Sequence, residues 1–162
     1  MQLENVPKKK LNKQQALLKA ANYCAYQERC HSEVAEKLKE WGLTYGEAQE
    51  VIVQLIEQNY LNEERFAIAF AGGKFRIKNW GKQRITRELK LRNVSTYCIN
   101  KAIESIEQID YDSRMKSLIH KKWGQTKASS LFEKRKKVAM YAISKGFEGD
   151  LVWEVINQLA DD

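Results

Sequence analysis

An apolar pattern recurs three times along this chain of 162 residues, and the recurrence limits the possible folds more than any other feature. The second copy begins at Ile85, 51 residues after the first, and the third begins at Val138, a further 53 residues on. Each copy has eight matched positions, and Thr86 is the only polar residue among the 24. The first copy comprises Val34, Ala35, Leu38, Leu43, Ala48, Val51, Ile52 and Leu55. Packing alone would give one helical unit such spacing, but it does not explain three units in nearly constant register.

Matched turn residues divide each copy into two helices. Gly42, Asn93 and Gly146 stand just before the same apolar position, and all three residues suit the left-handed conformation that ends a helix. Thr44 and Ser95, two residues after the turn in the first two copies, are standard N-cap residues. Each copy therefore reads as a helix, a turn and a second helix.

A further apolar stretch with helical spacing precedes each copy, after Asn12, Asn62 and Asp112 respectively. Eight glycines and a single proline leave few turns for a many-stranded β fold. We therefore predict an all-α protein in which three tandem three-helix repeats form an elongated, curved array. The predicted divisions are a basic leader over residues 1–11, an acidic first unit over 12–58, a basic second unit over 59–108 and a basic third unit over 109–162.

Catalytic and metal-binding motifs are weak in this sequence. Cys24, Cys30 and Cys98 form no CxxC pair, and adjacent Cys30 and His31 would diverge by about 100° on a helix, so we predict no metal and no cofactor. Buried structural thiols are favoured over a cysteine–histidine nucleophile pair, which stays an alternative. The stretch 72–74, Gly-Gly-Lys, lacks the spacing of a phosphate loop and fits a close helix contact or a kink. We predict that the protein is not an enzyme.

The apolar runs are too short to cross a membrane, and the first residues lack the pattern of a secretory signal. An odd number of cysteines suits a reducing compartment. We therefore expect a cytoplasmic protein with no membrane partner, and we expect a monomer.

Positive charge is concentrated in the second and third units. The net charge of the chain is +7, but residues 74–92 hold eight basic residues and one acid, and residues 114–145 hold ten basic residues and one acid. Residues 16–58 hold four basic and seven acidic residues. Such runs are often solvated helix faces, but two of them in consecutive repeats favour a surface that contacts a polyanion. The candidate contact residues are Lys74, Arg76, Lys78, Lys82, Arg84, Arg87, Lys90, Lys134, Arg135, Lys136 and Lys137.

Two details of this basic region stay open. Arg84 and Glu88 are four residues apart and could form an ion pair on one helix face. Trp80 could stack on a nucleic acid base or pack at the Gly81 turn.

The middle of the chain carries three further motifs: residues 59–67, Asn-Tyr-Leu-Asn-Glu-Glu-Arg-Phe-Ala, residues 81–85, Gly-Lys-Gln-Arg-Ile, and Glu88-Leu89. Together they resemble the signature of the RecX family of RecA recombinase regulators. Two features depart from the family pattern: Asn93 replaces a usual glycine, and Gly72-Gly73 interrupts a stretch that is ordinarily plain helix. The motif residues to which the resemblance assigns a structural role are Tyr60, Leu61, Arg65, Phe66, Ala67, Gly81, Ile85 and Leu89.

This resemblance implies a fold of three tandem three-helix units and a regulatory function. Members of the family bind the RecA recombinase and its filament on single-stranded DNA, and they mostly inhibit its ATPase, strand-exchange and co-protease activities. The resemblance therefore implies a role in recombination, DNA repair and the SOS response, with weak or indirect contact to single-stranded DNA. The alternatives are a stand-alone DNA-binding helical module and a protein-interaction array whose basic faces only keep it in solution.

Overall fold

Nine α-helices and no β-strand make up residues 10–161, the part of the chain that the computed structural model describes. The all-α prediction and the three successive three-helix repeats are confirmed. The helices are α1 (Lys13–Tyr26), α2 (His31–Glu40), α3 (Tyr45–Glu57), α4 (Glu63–Lys78), α5 (Lys82–Leu91), α6 (Thr96–Glu104), α7 (Gln108–Gln125), α8 (Leu131–Ser144) and α9 (Gly149–Asp161). The predicted basic leader lies outside the described residues except for Lys10 and Leu11.

The helix contacts divide the chain into two compact units, one ending at Phe66 and the next beginning at Ala67. We call these two the first unit and the second unit, and we call the three helix triplets repeats. The first unit contains α1 to α3 and the first turn of α4, and the second contains the remainder of α4 and α5 to α9. The repeat boundaries at residues 58 and 108, and the elongated, curved arrangement, stay predictions.

In the first unit, reciprocal capping boxes start two of the three helices. The Asn12 side chain accepts from the Gln15 N–H while the Gln15 side chain accepts from the Asn12 N–H, and Thr44 and Glu47 repeat this arrangement on α3. Hydrogen bonding lowers the pKa of Glu47 to about 2; the main cause is the donation from the Thr44 backbone, followed by that from Lys10. The helices enclose a core that includes Ala16, Val34, Leu38, Val51 and Leu55.

The matched apolar positions of the three repeats form the core, as the repetition predicts. All 24 are buried except Ala35, Thr86, Ile103 and Leu159, which are partly exposed. The three turn residues have positive φ angles: +90° at Gly42, +59° at Asn93 and +102° at Gly146. Asn93 therefore occupies the left-handed position in place of the glycine of the family pattern.

One predicted helix start is wrong. The sequence placed the start of α7 after Asp112, but the helix begins at Gln108 with Glu107 as its N-cap residue. The Asp112 carboxylate lies inside the helix, where it accepts a hydrogen bond of 2.9 Å from the Gln108 side chain. An i, i+4 pair inside a helix thus accounts for a residue that otherwise suits an N-cap.

The second and third repeats meet through backbone contact in the second unit. The Gly81 N–H donates to the Lys145 carbonyl at 2.8 Å, and the Gln83 N–H donates to the Gly146 carbonyl at 3.0 Å. A Cβ on Gly81 would overlap the backbone of Gly146, and a Cβ on Gly146 would overlap Arg84. This approach requires glycine on both sides.

A buried tyrosine completes the same junction. The Tyr111 ring, 1% exposed, stacks on Phe75 at 5.8 Å and packs against Phe147 at 5.4 Å between ring centroids. Its hydroxyl donates to the Glu148 carboxylate, 2.8 and 2.9 Å from the two oxygens, and accepts from the Lys82 N–H at 3.1 Å. Burial is the main cause that raises the Tyr111 pKa well above its ordinary value of 10.

We predict that Gly146→Ala destabilises the protein more than Gly42→Ala. Both changes place an alanine at a positive φ, at a cost of about 1–2 kcal/mol, but only Gly146 is pressed against backbone and Cβ atoms of Arg84, which adds about 1–3 kcal/mol. Gly42 is the control, since an added Cβ there meets only Lys10, at 3.1 Å or more. Denaturant unfolding of the two variants measures the difference, and equal losses would contradict the tight junction.

We predict that Tyr111→Phe lowers the free energy of unfolding by about 1–3 kcal/mol, because the Lys82 N–H and the Glu148 carboxylate each lose a buried partner. The native pKa of Tyr111 is raised, so its contribution to stability is complete below pH 10 and falls as the pH rises above 10. Unfolding at pH 8 and pH 11 should show a steeper alkaline loss in the parent than in Tyr111→Phe. Parallel pH profiles would contradict the prediction.

Candidate polyanion-binding surface

The eleven predicted contact residues all lie in the second unit, on α4, on α5 and near the start of α8. We call them the cationic set. Their exposure separates them into two groups. Lys74, Lys82, Arg84, Lys134 and Arg135 are partly buried, whereas the exposed members are Arg76, Lys78, Arg87, Lys90, Lys136 and Lys137.

No member of the cationic set forms an ion pair with a carboxylate of residues 10–161. Four ion pairs lie in the first unit: Lys10–Glu47, Lys13–Glu50, Lys37–Glu40 and Arg65–Glu28. A further ion pair joins Arg92 to Glu88 at 3.0 Å, so Glu88 pairs with Arg92 rather than with Arg84. The first unit thus neutralises much of its own charge, whereas the cationic set is left to attract an external anion.

On α5, the buried positions fix which cations face solvent. Ile85 and Leu89 are fully buried, and the helical period turns Arg87 and Lys90 outward. Both side chains border a shallow depression with Lys82, Gln83, Thr86 and Leu91. This helix therefore exposes Arg87 and Lys90 to solvent.

Trp80 is covered by its own neighbours. The Lys74 ammonium lies 5.0 Å and the Arg84 guanidinium 4.2 Å from the Trp80 ring centroid, and the Phe70 ring packs edge-on at 6.3 Å. These contacts favour the packing interpretation of Trp80 over base stacking, since cations already occupy the ring.

Two cations of the third repeat reach the end of α4, and the sequence did not single out either one. Arg114 donates to the Arg76 carbonyl at 3.0 Å and to the Asn79 side chain at 3.2 Å, and the Lys145 ammonium donates to the Lys78 carbonyl at 3.2 Å. Carbonyls in the last turn of a helix lack intrahelical partners and carry partial negative charge, which attracts cations. Their only signal in the sequence was membership of the basic run over residues 114–145.

The cations at the start of α8 have contacts of their own. The Lys134 ammonium lies 4.4 Å from the Trp123 ring centroid, and the Lys137 ammonium donates to the Lys127 carbonyl at 3.5 Å. The Arg135 Nε is buried without a hydrogen-bond partner. These contacts are with α7 and the α7–α8 connection, whereas Arg114 and Lys145 join the cations of α4 to the third repeat.

Six of the eight family-motif residues are buried, and Tyr60 and Arg65 are not. Leu61, Phe66, Ala67, Ile85 and Leu89 are buried and Gly81 forms the backbone junction, but the Tyr60 side chain is 40% exposed.

Arg65 organises the turn between α3 and α4. Its Nε lies 2.5 Å from the Glu28 carboxylate, and its remaining nitrogens donate to the Asn59 side chain and to the Asn59 and Tyr60 carbonyls at 3.0–3.3 Å. The Arg65 side chain therefore stabilises the first unit through these contacts.

The described residues offer no metal site and no membrane span. Residues 10–161 contain no cluster of three His, Cys, Asp or Glu side chains arranged to hold a metal, and none of their helices is both long and apolar enough to cross a bilayer. Cys24, Cys30 and Cys98 are buried and unoxidised. Burial raises the pKa of Cys24, which disfavours its reactive thiolate.

Family models for the three successive three-helix domains of RecX match this chain. The first domain matches residues 16–55, the second residues 62–103 and the third residues 110–156. The chain is 25% identical over 149 residues to the regulatory protein RecX of Bacillus cytotoxicus, and the aligned residues cover 92% of this chain and 55% of that protein. It is 29% identical over 144 residues to that of Lactobacillus johnsonii, covering 89% and 53%. The chain thus spans about half the length of these relatives.

Solved structures share the fold. The crystal structure of RecX from Lactobacillus salivarius matches with a TM-score of 0.81 at 21% identity, over 93% of this chain and 97% of that one. A second regulatory protein RecX matches with a TM-score of 0.78 at 20% identity, over 90% and 73%. Three domain models in the same order as the three helix triplets, together with these relatives, identify the family. This chain belongs to the RecX family.

Proposed function

We propose that this protein is a regulator that binds the RecA recombinase and its filament on single-stranded DNA and mostly inhibits its ATPase, strand-exchange and co-protease activities. Its effect falls on recombination, DNA repair and the SOS response, and it acts in the cytoplasm as a monomer without an enzymatic activity of its own. Membership of a family whose relatives are named regulatory proteins supports this proposal. The observation that carries it is the cationic set, which lacks carboxylate partners throughout residues 10–161.

A nucleoprotein filament offers the two kinds of surface that this charge distribution requires. The exposed cations of the second unit contact DNA phosphates or acidic filament surface, and the acid-rich first unit contacts a basic part of the recombinase. Contact with adjacent recombinase protomers then opposes the motions needed for ATP turnover or the addition of new subunits.

The competing function is a stand-alone DNA-binding module, which the same exposed cations favour. A sequence-specific reader also needs polar side chains for base edges on a recognition helix. The third helices of the repeats carry few side-chain amides, and this is sparse for base recognition: Gln49 and Gln54 on α3, Asn100 on α6, and Asn157 and Gln158 on α9. The regulator is therefore the better-supported proposal.

We predict that the exposed cations of α5 and α8 can be removed without loss of stability but with loss of inhibition. Arg87→Gln/Lys90→Gln and Lys136→Gln/Lys137→Gln each remove two exposed charges, whereas changes at Arg84 or Arg135 would also disturb packing. Each double variant should inhibit the DNA-dependent ATPase of RecA less than the parent does. For two lost phosphate contacts, the logarithmic salt slope of filament binding should fall by about 1.4. Titration into RecA on single-stranded DNA at several salt concentrations measures both effects.

Lys19→Gln/Lys39→Gln is the matched control, since it removes two exposed charges from α1 and α2 of the acid-rich unit. We expect this control to inhibit like the parent, and excess competitor DNA to leave inhibition unchanged. Equal inhibition by all variants would contradict the role of the cationic set. Relief of all inhibition by competitor DNA would favour simple DNA sequestration.

A further inference from the structure

A groove of about 900 Å³ lies between α4 and α7 of the second unit, and its walls are not electrically uniform. Glu107 and Asp110 border it near the start of α7, whereas four cations border the remainder. Ser113 and Ser117 also line it, and Ile68 and Leu118 contribute apolar surface. The four groove cations are Arg76, Arg114, Lys121 and Lys122.

The absence of a side chain at Gly72 leaves space for the guanidinium of one of these cations, Arg76. The Arg76 guanidinium lies over Gly72, where a Cβ would approach its Nη2 to 2.7 Å and its Nη1 to 2.9 Å. A Cβ on adjacent Gly73 would meet nothing within 4 Å, and α4 runs through both positions. The three atoms nearest to a Cβ on Gly72 all belong to Arg76, so this position does not favour the close helix contact over the kink. Gly72 instead gives the Arg76 guanidinium room against the helix wall.

Two of the other groove cations, Arg114 and Lys122, are held in place without being neutralised, and the third, Lys121, is exposed. The Arg114 Nη1 donates to the Arg76 carbonyl and to the Asn79 side chain, and a guanidinium has five N–H donors, so others are left for a ligand. The Lys122 ammonium lies 4.5 Å from the Tyr141 ring centroid. None of the four pairs with a carboxylate within residues 10–161. Cations positioned in advance lose little freedom when an anion binds.

We propose that the basic half of this groove binds the phosphodiester backbone of one DNA strand, with the Arg76 guanidinium seated on Gly72 as one of its phosphate contacts. Arg114 and Lys122 lie about 12 Å apart along α7, enough for a few nucleotides. The serine hydroxyls add donors to phosphate oxygens. The proposal rests on the proposed function, to which it adds a binding site and three cations that the sequence did not select.

Two observations favour a nucleic acid strand over an acidic peptide. Positive charge continues past the groove to Lys78 and Lys145 at the end of α4, and a uniformly charged strand gains from each further cation. At the other end, Glu107 and Asp110 repel phosphate, so the strand leaves the groove before it reaches them.

The test compares Gly72→Ala with Gly73→Ala by fluorescence anisotropy, using a fluorescein-labelled oligothymidylate and no recombinase. Both changes replace a helix-interior glycine by alanine, so both should raise the melting temperature. Only Gly72→Ala displaces the Arg76 guanidinium, so only this variant should bind the oligonucleotide more weakly, with a salt slope smaller by about 0.7. Arg76→Gln should show the same loss. The double variant Gly72→Ala/Arg76→Gln should bind no more weakly than Arg76→Gln, because Gly72 acts through Arg76.

Several results would overturn the proposal. Gly72→Ala could bind like the parent, both glycine variants could lose affinity equally, or the parent could fail to bind the oligonucleotide. Displacement of the oligonucleotide by polyglutamate at equal charge concentration, with the same dependence on Gly72, would assign the groove to an acidic peptide. The RecA ATPase assay with Arg87→Gln/Lys90→Gln tests the proposed function separately. If Arg87→Gln/Lys90→Gln loses inhibition while Gly72→Ala binds the oligonucleotide like the parent, the proposed regulatory function is supported and the proposed binding site in the groove is contradicted.

Discussion

The first turn of α5 depends on the third repeat for its hydrogen bonds. Its N-cap residue is Gly81, which has no side chain to accept from the free N–H groups at a helix start. The third repeat supplies three acceptors instead: the Lys145 carbonyl for Gly81, the Tyr111 hydroxyl for Lys82 and the Gly146 carbonyl for Gln83. The two backbones can approach this closely because both turns carry glycine. Formation of α5 is thereby coupled to the turn between α8 and α9, and these hydrogen bonds fix the start of α5 against the third repeat.

This coupling brings together two basic segments that would otherwise repel. Cations of this region contact neutral groups in place of carboxylates: Arg114 and Lys145 donate to carbonyls at the end of α4, and Lys74 and Arg84 lie over the Trp80 ring. Such contacts hold a cation in place but leave its net charge. An external polyanion therefore gains attraction from a surface whose geometry is already set.

The local features of this fold could be predicted from the sequence, and the contacts between distant segments could not. Gly42, Asn93 and Gly146 marked the turns because a positive φ requires such residues, and the burial of Ile85 and Leu89 followed from helical period. Arg114 and Lys145 were missed because their partners lie 38 and 67 residues away, and nothing in a basic run shows which cation meets a helix end. For Gly72 the sequence offered a close helix contact or a kink, and it could not show that the Arg76 guanidinium, one turn further along the same helix, lies over this glycine.

The contrast between the two units also bears on the choice of partner. In the first unit the acids are partly neutralised by Lys10, Lys13, Lys37 and Arg65, and residues 10–66, with seven basic and nine acidic residues, carry a net charge of −2. Bare DNA would attract the second unit and repel the first, so binding to it would use only part of this chain favourably. A partner that combines phosphate with basic protein surface attracts both units. A nucleoprotein filament is such a partner, and the opposite charges of the two units therefore support the filament over free DNA as the target.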